Sequence, residues 1–278
     1  MNTLRKIDLH CHSYYSDGEC SPQTLLNIAL ANQVEVLALT DHDTLDGIDE
    51  LQTLAIGHPI TIIAGVECSV TWLRQELHVL GLNVNAKHPR LLHYLRLQTQ
   101  RRWTRALAIS DALCKLGVVN HLSAVIEIAG HYGLSRTHFA KFLVNNGYVS
   151  DNATAFKKYL GSSAPAYVPS QWAGLEETIS VIKEAGGVAV IAHPMHYRLS
   201  TAQLKGLFKT FKSLGGEGVE MVSGIMNKKD MQRLIKLVRL FDFQVSTGSD
   251  FHRPQMYRAT LGGQTALPLD CKPIGQDW

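Results

Sequence analysis

The amino-acid sequence predicts an α/β fold built around a parallel sheet and interrupted by an all-helical insertion. Short apolar runs alternate with helical patterns at the start of the chain and again after Gly174, which is a βαβ rhythm. The apolar runs are continuous, as expected of strands that are buried on both faces of a parallel sheet. We therefore expect residues 1–85 and 166–278 to form a barrel domain and residues 86–165 to form a helical insertion.

The first stretch of the chain supplies three strands and one clear helix. Its successive patterns are IDLH, SPQTLLNIALANQ, VEVLALT and ITIIAGVE, and the last of these runs is predicted to end at Glu67. Ser21 is a plausible N-cap, and Pro22 suits the first helical position. The apolar residues of this helix predicted to face the core are Leu25, Leu26, Ile28 and Ala29.

The second stretch repeats the rhythm, and the segment between the two is helical. After Gly174 the patterns are LEETISVIKEAGG, VAVIAH, LKGLFKTFKSLGG, EGVEMV, KDMQRLIKLVRLF and FQVSTGSD. The insertion reads LLHYLRLQTQRRWTRALAISDALCKLG, HLSAVIEIAGHYG, RTHFAKFLVNNG and ATAFKKYLG. It contains no repeat and no flexible linker, so we expect it to pack onto the barrel.

Composition limits the class of protein. The chain has 278 residues, of which 45% are apolar, which is enough to bury a full core and excludes a disordered or fibrous protein. The first ten residues lack the apolar stretch of a signal peptide, and no later run approaches a membrane span. We expect a cytoplasmic protein with no membrane contact and no obligate protein partner.

Charge and residue usage point to metal chemistry. A net charge of +3 is too small for a protein that coats nucleic acid, so any basic site must be local. The five cysteines form no CxxC pair, and we expect them to be reduced thiols. The 13 histidines are the unusual feature, because histidine is the commonest metal ligand.

Metal-binding residue types follow the strands. His10 and His12 end the first run and point to the same face, with Asp17 in the following loop. The others follow later runs or lie in an alternating segment that suggests a hairpin: Asp41, His42, Asp43, Glu67, His78, His193, Asp250 and His252. Taken singly, several of these residues have an explanation other than metal binding. His10 and His12 could be two unrelated histidines, Glu67 could cap a helix or form a salt bridge, and His78 could have a structural role.

The joint pattern favours a metal centre. Five apolar runs each end in His, Asp or Glu, and the carboxyl ends of parallel strands converge on one pocket in a (β/α) barrel. Mixed imidazole and carboxylate ligands suit Mn²⁺, Zn²⁺ or Fe²⁺ better than Ca²⁺ or Mg²⁺. These candidate ligands are too many for one ion, so we expect two to three divalent ions, with Mn²⁺ as the first choice.

The motifs HCHSYYSDG, TDHDT, GVE, AHP and GSDFH, together with His78, resemble those of the polymerase and histidinol phosphatase (PHP) superfamily. The resemblance covers nearly the whole chain and implies a distorted (β/α)7 TIM-like barrel with a trinuclear metal site. It implies that His10, His12, Glu67 and Asp250 hold one ion. Glu67 would bridge to a second ion on His78 and His193, and Asp17, His42 and His252 would hold a third. Relatives commonly read HSHT or HCHT where this chain has HCHS, and both ligands remain.

The insertion resembles that of the branch containing the 3',5'-nucleoside bisphosphate phosphatases and the 5'-to-3' exoribonuclease RNase AM. This implies a substrate that is a pAp-type nucleotide, from which the 3'-phosphate is removed, or a short 5'-phosphorylated RNA. Two alternatives remain open. A histidinol-phosphate-type phosphatase would share the metals, and a non-catalytic metal-binding or RNA-binding module would keep the fold. The complete ligand set argues against the second alternative, because buried charges are costly to keep.

The expected mechanism needs no protein nucleophile. Divalent ions lower the pKa of a bridging water from ~15.7 toward ~7 and supply hydroxide, which Asp17, His42 and Glu67 would hold. Cys11 and Cys68 adjoin ligands but point to the opposite face, so we assign them to packing. Asp43 and His196 are candidates to orient ligands or shuttle a proton; the alternatives are a hydrogen bond to a ligand residue or an ordinary surface position.

Arginines in the insertion suggest how a second phosphate is recognised. On one helical run Arg101 and Arg105 are four residues apart and Arg102 and Arg105 three apart, which places their guanidinium groups on adjoining parts of one surface. Arg136 and His138 begin another helix, where backbone N–H groups favour an anion. The ordinary alternative is a solvated helix face. Because arginine pairs bidentately with phosphate, we expect Arg101, Arg102, Arg136 and His138 to bind the substrate.

Overall fold

The computed structural model shows how the chain folds around its strands. It describes residues 5–119, 121–130, 133–197, 199–254, 260–268 and 270–278. The strands are β1 (Ile7–Asp8), β2 (Val36–Leu39), β3 (Thr61–Trp72), β4 (Gln75–Leu82), β5 (Ala173–Gly174), β6 (Val188–Ile191), β7 (Gly218–Ser223) and β8 (Gln244–Gly248). They form one sheet in the order β1-β2-β3-β4-β6-β7-β8, with β5 paired to β3.

The sheet curves until its two edges meet. The backbone N–H of Leu9 donates to the carbonyl of Thr247 at 2.9 Å, and that of His12 donates to the carbonyl of Phe251 at 2.9 Å. The N–H of Asp250 donates to His10 at 2.8 Å. These bonds join the carboxyl ends of β1 and β8, so the sheet is a nearly closed barrel whose first and last strands are neighbours.

One part of the sheet departs from the parallel arrangement. Strand β4 runs antiparallel to both β3 and β6. The run predicted to end at Glu67 continues to Trp72 and turns through Leu73 and Arg74, which have positive φ angles of 45° and 66°. The hairpin suggested by the alternating segment is therefore present, and it returns His78 toward the end of β3.

The helices cover the barrel and extend beyond it. They are α1 (Pro22–Ala31), α2 (Ile48–Leu54), α3 (Pro89–Lys115), α4 (His121–Ala129), α5 (Arg136–Asn145), α6 (Asn152–Ala155), α7 (Leu175–Glu184), α8 (Thr201–Ser213) and α9 (Lys228–Phe241), with a π-helical turn at Phe156–Leu160. The predicted start of α1 is confirmed: the Ser21 side chain accepts a hydrogen bond from the Thr24 N–H at 3.1 Å. The segment between β4 and β5 contains helices and no strand among the described residues.

Helix α3 belongs to two hydrophobic cores. Its first half contributes Leu91, Tyr94 and Leu95 to the core of the barrel. Its second half contributes Ile109 and Leu113 to a separate core shared with α4, α5 and the π-helical turn. The middle of this helix therefore crosses from barrel to insertion and carries its polar residues over the barrel mouth.

The described helices include none that combines the length and the apolar character needed to cross a membrane.

Candidate metal centre and phosphate pocket

All nine predicted metal ligands lie at one end of the barrel. His10, His12 and Asp17 follow β1, His42 follows β2, Glu67 lies in β3, His78 lies in β4, His193 follows β6, and Asp250 and His252 follow β8. His10, His12 and Glu67 are fully buried, and Asp17 is 7% exposed. The strand ends therefore bring together all the residues that the sequence singled out for metal binding.

The first group consists of His10, His12, Glu67 and Asp250. Both imidazole Nε2 atoms lie 3.2–3.3 Å from Oε2 of Glu67 and 3.3–3.4 Å from Oδ1 of Asp250, and they are 3.2 Å from each other. Four donors placed at about 2.1 Å around a tetrahedral ion lie about 3.4 Å apart. The four atoms therefore have the spacing of a metal coordination shell.

The second group faces the other oxygen of Glu67. Glu67 Oε1 lies 2.9 Å from His78 Nδ1 and 2.8 Å from His193 Nε2, and these two nitrogens are 3.4 Å apart. The two oxygens of one carboxylate thus serve two separate groups. This is the geometry required of a carboxylate that bridges two ions.

The third group surrounds Asp17. Its Oδ1 atom lies 3.3 Å from His252 Nε2 and 3.8 Å from His42 Nε2. His12 also offers a donor atom to this group, and His42 places its Nδ1 atom 3.1 Å from Glu67 Oε2. His12 and His42 therefore lie between neighbouring groups, and the three groups form one continuous cluster.

The donor atoms are arranged to coordinate divalent cations and not to hydrogen-bond with one another. Asp17 Oδ1, His42 Nδ1 and Glu67 Oε2 are buried and have no hydrogen-bond partner among the described residues. Buried polar atoms normally have a partner, because an unpaired one is costly. Since these atoms point at other donors without making hydrogen bonds, a cation between them accounts for the arrangement.

Electrostatics keep the carboxylates anionic. Burial raises the pKa of Glu67, but the imidazoles of His78, His42 and His10 outweigh it and hold that pKa well below its usual value. Burial likewise raises the pKa of Asp17, and His252 and His42 reverse the effect. Deprotonated carboxylates are the form that binds a metal.

Glu220 supports the ligands and was not predicted. Its Oε1 atom accepts a hydrogen bond from His10 Nδ1 at 2.9 Å, and its Oε2 atom accepts one from the backbone N–H of His193 at 2.6 Å. The first bond directs Nε2 of His10 toward the cluster. The signal was available in the sequence, since Glu220 interrupts the otherwise apolar strand GVEMVS.

Backbone strain is concentrated at the strand ends. Asp43, His193 and Asp250 have φ angles of 53°, 28° and 54°. Such conformations cost roughly 1–3 kcal/mol each for residues other than glycine, and they persist only where the surroundings impose them. The hydrogen bonds to Glu220 and His10 described above supply that restraint for His193 and Asp250.

The two other sequence candidates and the cysteines have identifiable contacts. Asp43 lies beside His42 and binds Arg102, with Nη2 and Nε of the arginine 2.6 and 2.7 Å from Asp43 Oδ2. The ring of His196 stacks on that of His193 at 5.2 Å. Cys11 and Cys68 are buried, and burial raises the pKa of both thiols well above the usual value, which leaves neither as a nucleophile.

A cavity of about 150 Å³ opens onto the cluster. It is lined by Asp17, His42 and His78 of the cluster, and its wall includes the three arginines Arg102, Arg105 and Arg136. The lining also contains apolar and aromatic side chains: Ala106, Ile109, Leu134, Phe139 and Phe156. We call this cavity the arginine pocket.

Two residues that were not predicted, Glu76 and Trp172, contact the arginines. Glu76 accepts hydrogen bonds from Arg105 Nη1 and Arg136 Nη2, both at 3.0 Å, and from Trp172 Nε1 at 2.9 Å. Burial raises the pKa of Glu76, but Arg136 and Arg105 lower it to about 2. The three guanidinium groups bind only two carboxylates among the described residues, those of Glu76 and Asp43, so one of their positive charges has no carboxylate partner of its own.

The structure does not bring every predicted substrate-binding residue to this pocket. Arg101 bonds to Gln98 at 2.6 Å and lines another cavity, between α3 and residues 168–171. His138 caps α5: its Nδ1 accepts the Ser135 N–H at 3.1 Å. Burial lowers the pKa of His138 to about 4, so it carries no positive charge at neutral pH. Of the four predicted residues, only Arg102 and Arg136 line the arginine pocket.

Comparison with known proteins agrees with this geometry. The model of the PHP domain family matches residues 8–262, so the chain belongs to that family. It is similar to a 5'-3' exoribonuclease from Haemophilus influenzae, with 42% identity over 90% of this chain and 91% of the relative. It is also similar to a 3',5'-nucleoside bisphosphate phosphatase from Chromobacterium violaceum, with 36% identity over 99% of this chain and 96% of the relative.

A solved structure extends the likeness to the fold. An amidohydrolase from Chromobacterium violaceum, determined with bound sulfate and no metal, superposes with a TM-score of 0.92. It is 36% identical, and the match covers 98% of this chain and 95% of that one. The predicted barrel-like α/β fold and the predicted enzyme class, a metal-dependent phosphoesterase, are confirmed.

Proposed function

We propose that this enzyme hydrolyses the 3'-phosphate ester of a nucleotide that also carries a 5'-phosphate, with pAp-type bisphosphates and 5'-phosphorylated RNA ends as substrates. One observation carries the proposal. The arginine pocket is continuous with the metal-ligand cluster, since Asp17, His42 and His78 line the same cavity as Arg102, Arg105 and Arg136. One phosphate can therefore lie at the cluster while a second lies against the arginines.

At such a site, the exoribonuclease activity of one relative and the bisphosphate phosphatase activity of the other would be the same reaction. Water forms a bond to phosphorus, the bond from phosphorus to the 3'-oxygen breaks, and the 3'-oxygen takes up a proton. A bisphosphate then yields a nucleoside 5'-phosphate and inorganic phosphate. An RNA yields the same mononucleotide and a shorter chain with a new 5'-phosphate. Both substrates present the same 5'-phosphorylated nucleotide to the arginine pocket.

Arg136 is the residue best placed to bind the 5'-phosphate. Its side chain is 27% exposed and has one hydrogen bond to Glu76, which leaves N–H groups available to a ligand. Arg102 is nearly buried and is held by both Asp43 and Ser69. We assign Arg136 to direct binding and Arg102 to the positive potential of the wall. The apolar and aromatic side chains in the lining have the character required by a nucleobase.

The nine residues His10, His12, Asp17, His42, Glu67, His78, His193, Asp250 and His252 would hold two to three divalent ions. Imidazole and carboxylate donors favour Mn²⁺, Zn²⁺ or Fe²⁺, and we propose Mn²⁺. The ions supply polarisation of the phosphate and activation of the attacking water when they are bound. The chain itself supplies the shape of the pocket and the positive charge that orients the substrate.

A substrate comparison tests this function. Purified protein supplied with Mn²⁺ is given pAp, a 5'-phosphorylated RNA, 3'-AMP and histidinol phosphate in parallel, and products are separated by chromatography. We expect AMP from pAp and from the RNA when its first nucleotide is adenosine, with little turnover of the other two compounds. Preferential hydrolysis of histidinol phosphate would overturn the proposal in favour of a small-molecule phosphatase. Equal turnover of 3'-AMP and pAp would exclude recognition of the 5'-phosphate.

A further inference from the structure

A second cavity lies beside the metal-ligand cluster. It has a volume of about 210 Å³ and is lined by Asp17, Glu19, Thr137, Lys141, Asn152, His252 and Arg253. Asp17 and Thr137 also line the arginine pocket. The two cavities therefore adjoin one another at Asp17 and Thr137.

The geometry points to this second cavity as the binding site for the RNA strand beyond the bond that is cut, and the inference rests on the function proposed above. When the first nucleotide fills the arginine pocket, the phosphate at the cluster still carries the second nucleotide through its 5'-oxygen. That nucleotide must leave the cluster by another opening. In pAp the same oxygen carries no nucleotide, so pAp would leave this cavity empty.

Charge favours the cavity with Lys141 and Arg253 over a third cavity that also adjoins the cluster. Another cavity adjoins the cluster at His193 and Glu220, has a volume of about 90 Å³, and contains Asp230. No lysine or arginine lines it among the described residues. The cavity with Lys141 and Arg253 is larger and holds two cations. Each cavity has two carboxylates in its lining, Asp17 and Glu19 in one and Glu220 and Asp230 in the other, so the two cations make the difference. A polyanionic strand is attracted to cations, so it takes the path past Lys141 and Arg253.

Arg253 and Lys141 differ in how available they are. Arg253 is exposed and makes no hydrogen bond or ion pair with any residue that the structure describes. Lys141 Nζ lies 3.1 Å from Glu19 Oε1, and their side chains are 22% and 38% exposed. Glu19 therefore competes with a strand phosphate for Lys141. Both cations line the same cavity as the metal-ligand residues Asp17 and His252, and we assign them to the first phosphate beyond the second nucleotide.

The test compares pAp, pApA and pApApA, because only pApApA has a phosphate beyond the second nucleotide. Lys141→Ala and Arg253→Ala should each lower the ratio of kcat/KM for pApApA to that for pApA by roughly tenfold, the size of a lost charged hydrogen bond. Glu19→Gln should raise this ratio. The control is Lys205→Ala on α8, an exposed lysine on another face of the barrel, which should leave the ratio unchanged.

A binding measurement without turnover completes the test. In EDTA, the fluorescence anisotropy of pApApA labelled at its 3' end should report roughly tenfold weaker binding for Lys141→Ala and Arg253→Ala. Each variant should also reduce the dependence of log Kd on log salt concentration by about 0.7. Unchanged binding, or an equal loss of kcat/KM on all three substrates, would overturn the strand site. If the wild type hydrolyses none of the three, the proposed function itself fails.

Discussion

Glu67 is the residue on which the candidate metal centre depends most. Its two oxygens face different groups of ligands, and it contacts His10, His12, His42, His78 and His193 within 3.3 Å. Each of the other ligands serves fewer neighbours. Replacing Glu67 should therefore reduce metal binding and activity more than replacing any other single ligand.

Replacing Glu67 by Gln should reduce kcat by well over 100-fold, more than is typical for a residue that only orients a ligand. Asp17→Ala should also abolish useful turnover but retain more of the bound metal, since Asp17 serves one group. Metal analysis and circular dichroism of both variants check that the fold remains. Full activity with unchanged metal content in either variant would show that the ligand assignment is wrong.

Glu220→Gln should have a smaller effect than either of those variants. The amide still fills the space but lacks the negative charge of the carboxylate that accepts the hydrogen bond from His10 Nδ1. Loss of such a contact to a metal ligand typically changes metal affinity or activity by about 10–100-fold. The expected pattern is weaker metal binding in a titration, with activity partly restored by excess Mn²⁺. A loss that no metal concentration restores would contradict a positioning role.

Arg136→Ala tests recognition of the phosphate that is not cut. We expect kcat/KM for 5'-phosphorylated substrates to fall by roughly tenfold or more, as for loss of a charged hydrogen bond. Turnover of 3'-AMP should change little, because that substrate has no 5'-phosphate. Arg96→Ala serves as the matched control, since Arg96 is exposed on α3 and lies outside the pocket lining. An equal loss on both substrates would point to a structural role for Arg136.

At the scale of secondary structure, α3 connects the barrel to the insertion. Three of its early residues lie in the barrel core, its middle carries Arg102 and Arg105 into the arginine pocket, and its end lies in the second core. The rotation of this helix decides which arginine faces the substrate. Arg101 and Arg102 are about 100° apart around the helix axis, so packing that buries Arg102 turns Arg101 away.

Leu91→Ala tests the anchoring of α3 to the barrel. Leu91 is fully buried, so we expect the free energy of unfolding to fall by about 2–5 kcal/mol. Leu107→Ala is the control on the same helix, because Leu107 is 49% exposed and should cost little. Urea denaturation measures both variants. Similar losses from the two substitutions would contradict the assignment of Leu91 to the barrel core.

At the scale of the whole molecule, bound metal should stabilise the fold. The ligands come from β1, β2, β3, β4, β6 and β8 and from the loops after them, so ions hold most of the barrel end together. Because the unfolded chain lacks this site, Mn²⁺ at 100 times its Kd should add about 2.7 kcal/mol per ion to the free energy of unfolding.

Thermal denaturation with Mn²⁺ and with EDTA measures this stabilisation, and elemental analysis should find two to three ions per chain. A melting temperature that is the same with and without metal, together with less than one ion per chain, would refute the metal centre. The metal identity, the cytoplasmic location and the domain boundaries remain predictions from the sequence.

The sequence by itself predicted the barrel rhythm, the helical insertion and, through the resemblance of its motifs to the PHP superfamily, the nine candidate ligands. This was possible because strand alternation and the convergence of strand ends follow from backbone geometry, which local patterns reveal. The antiparallel β4, the extension of β3 past Glu67 and the contacts of Glu220, Glu76 and Trp172 were decided only by tertiary structure. These features depend on partners far apart along the chain. For the same reason, only the tertiary structure shows that Arg102 and Arg136 line the arginine pocket together with Arg105. Arg101 and His138 do not line it, because Arg101 bonds to Gln98 and His138 bonds to Ser135.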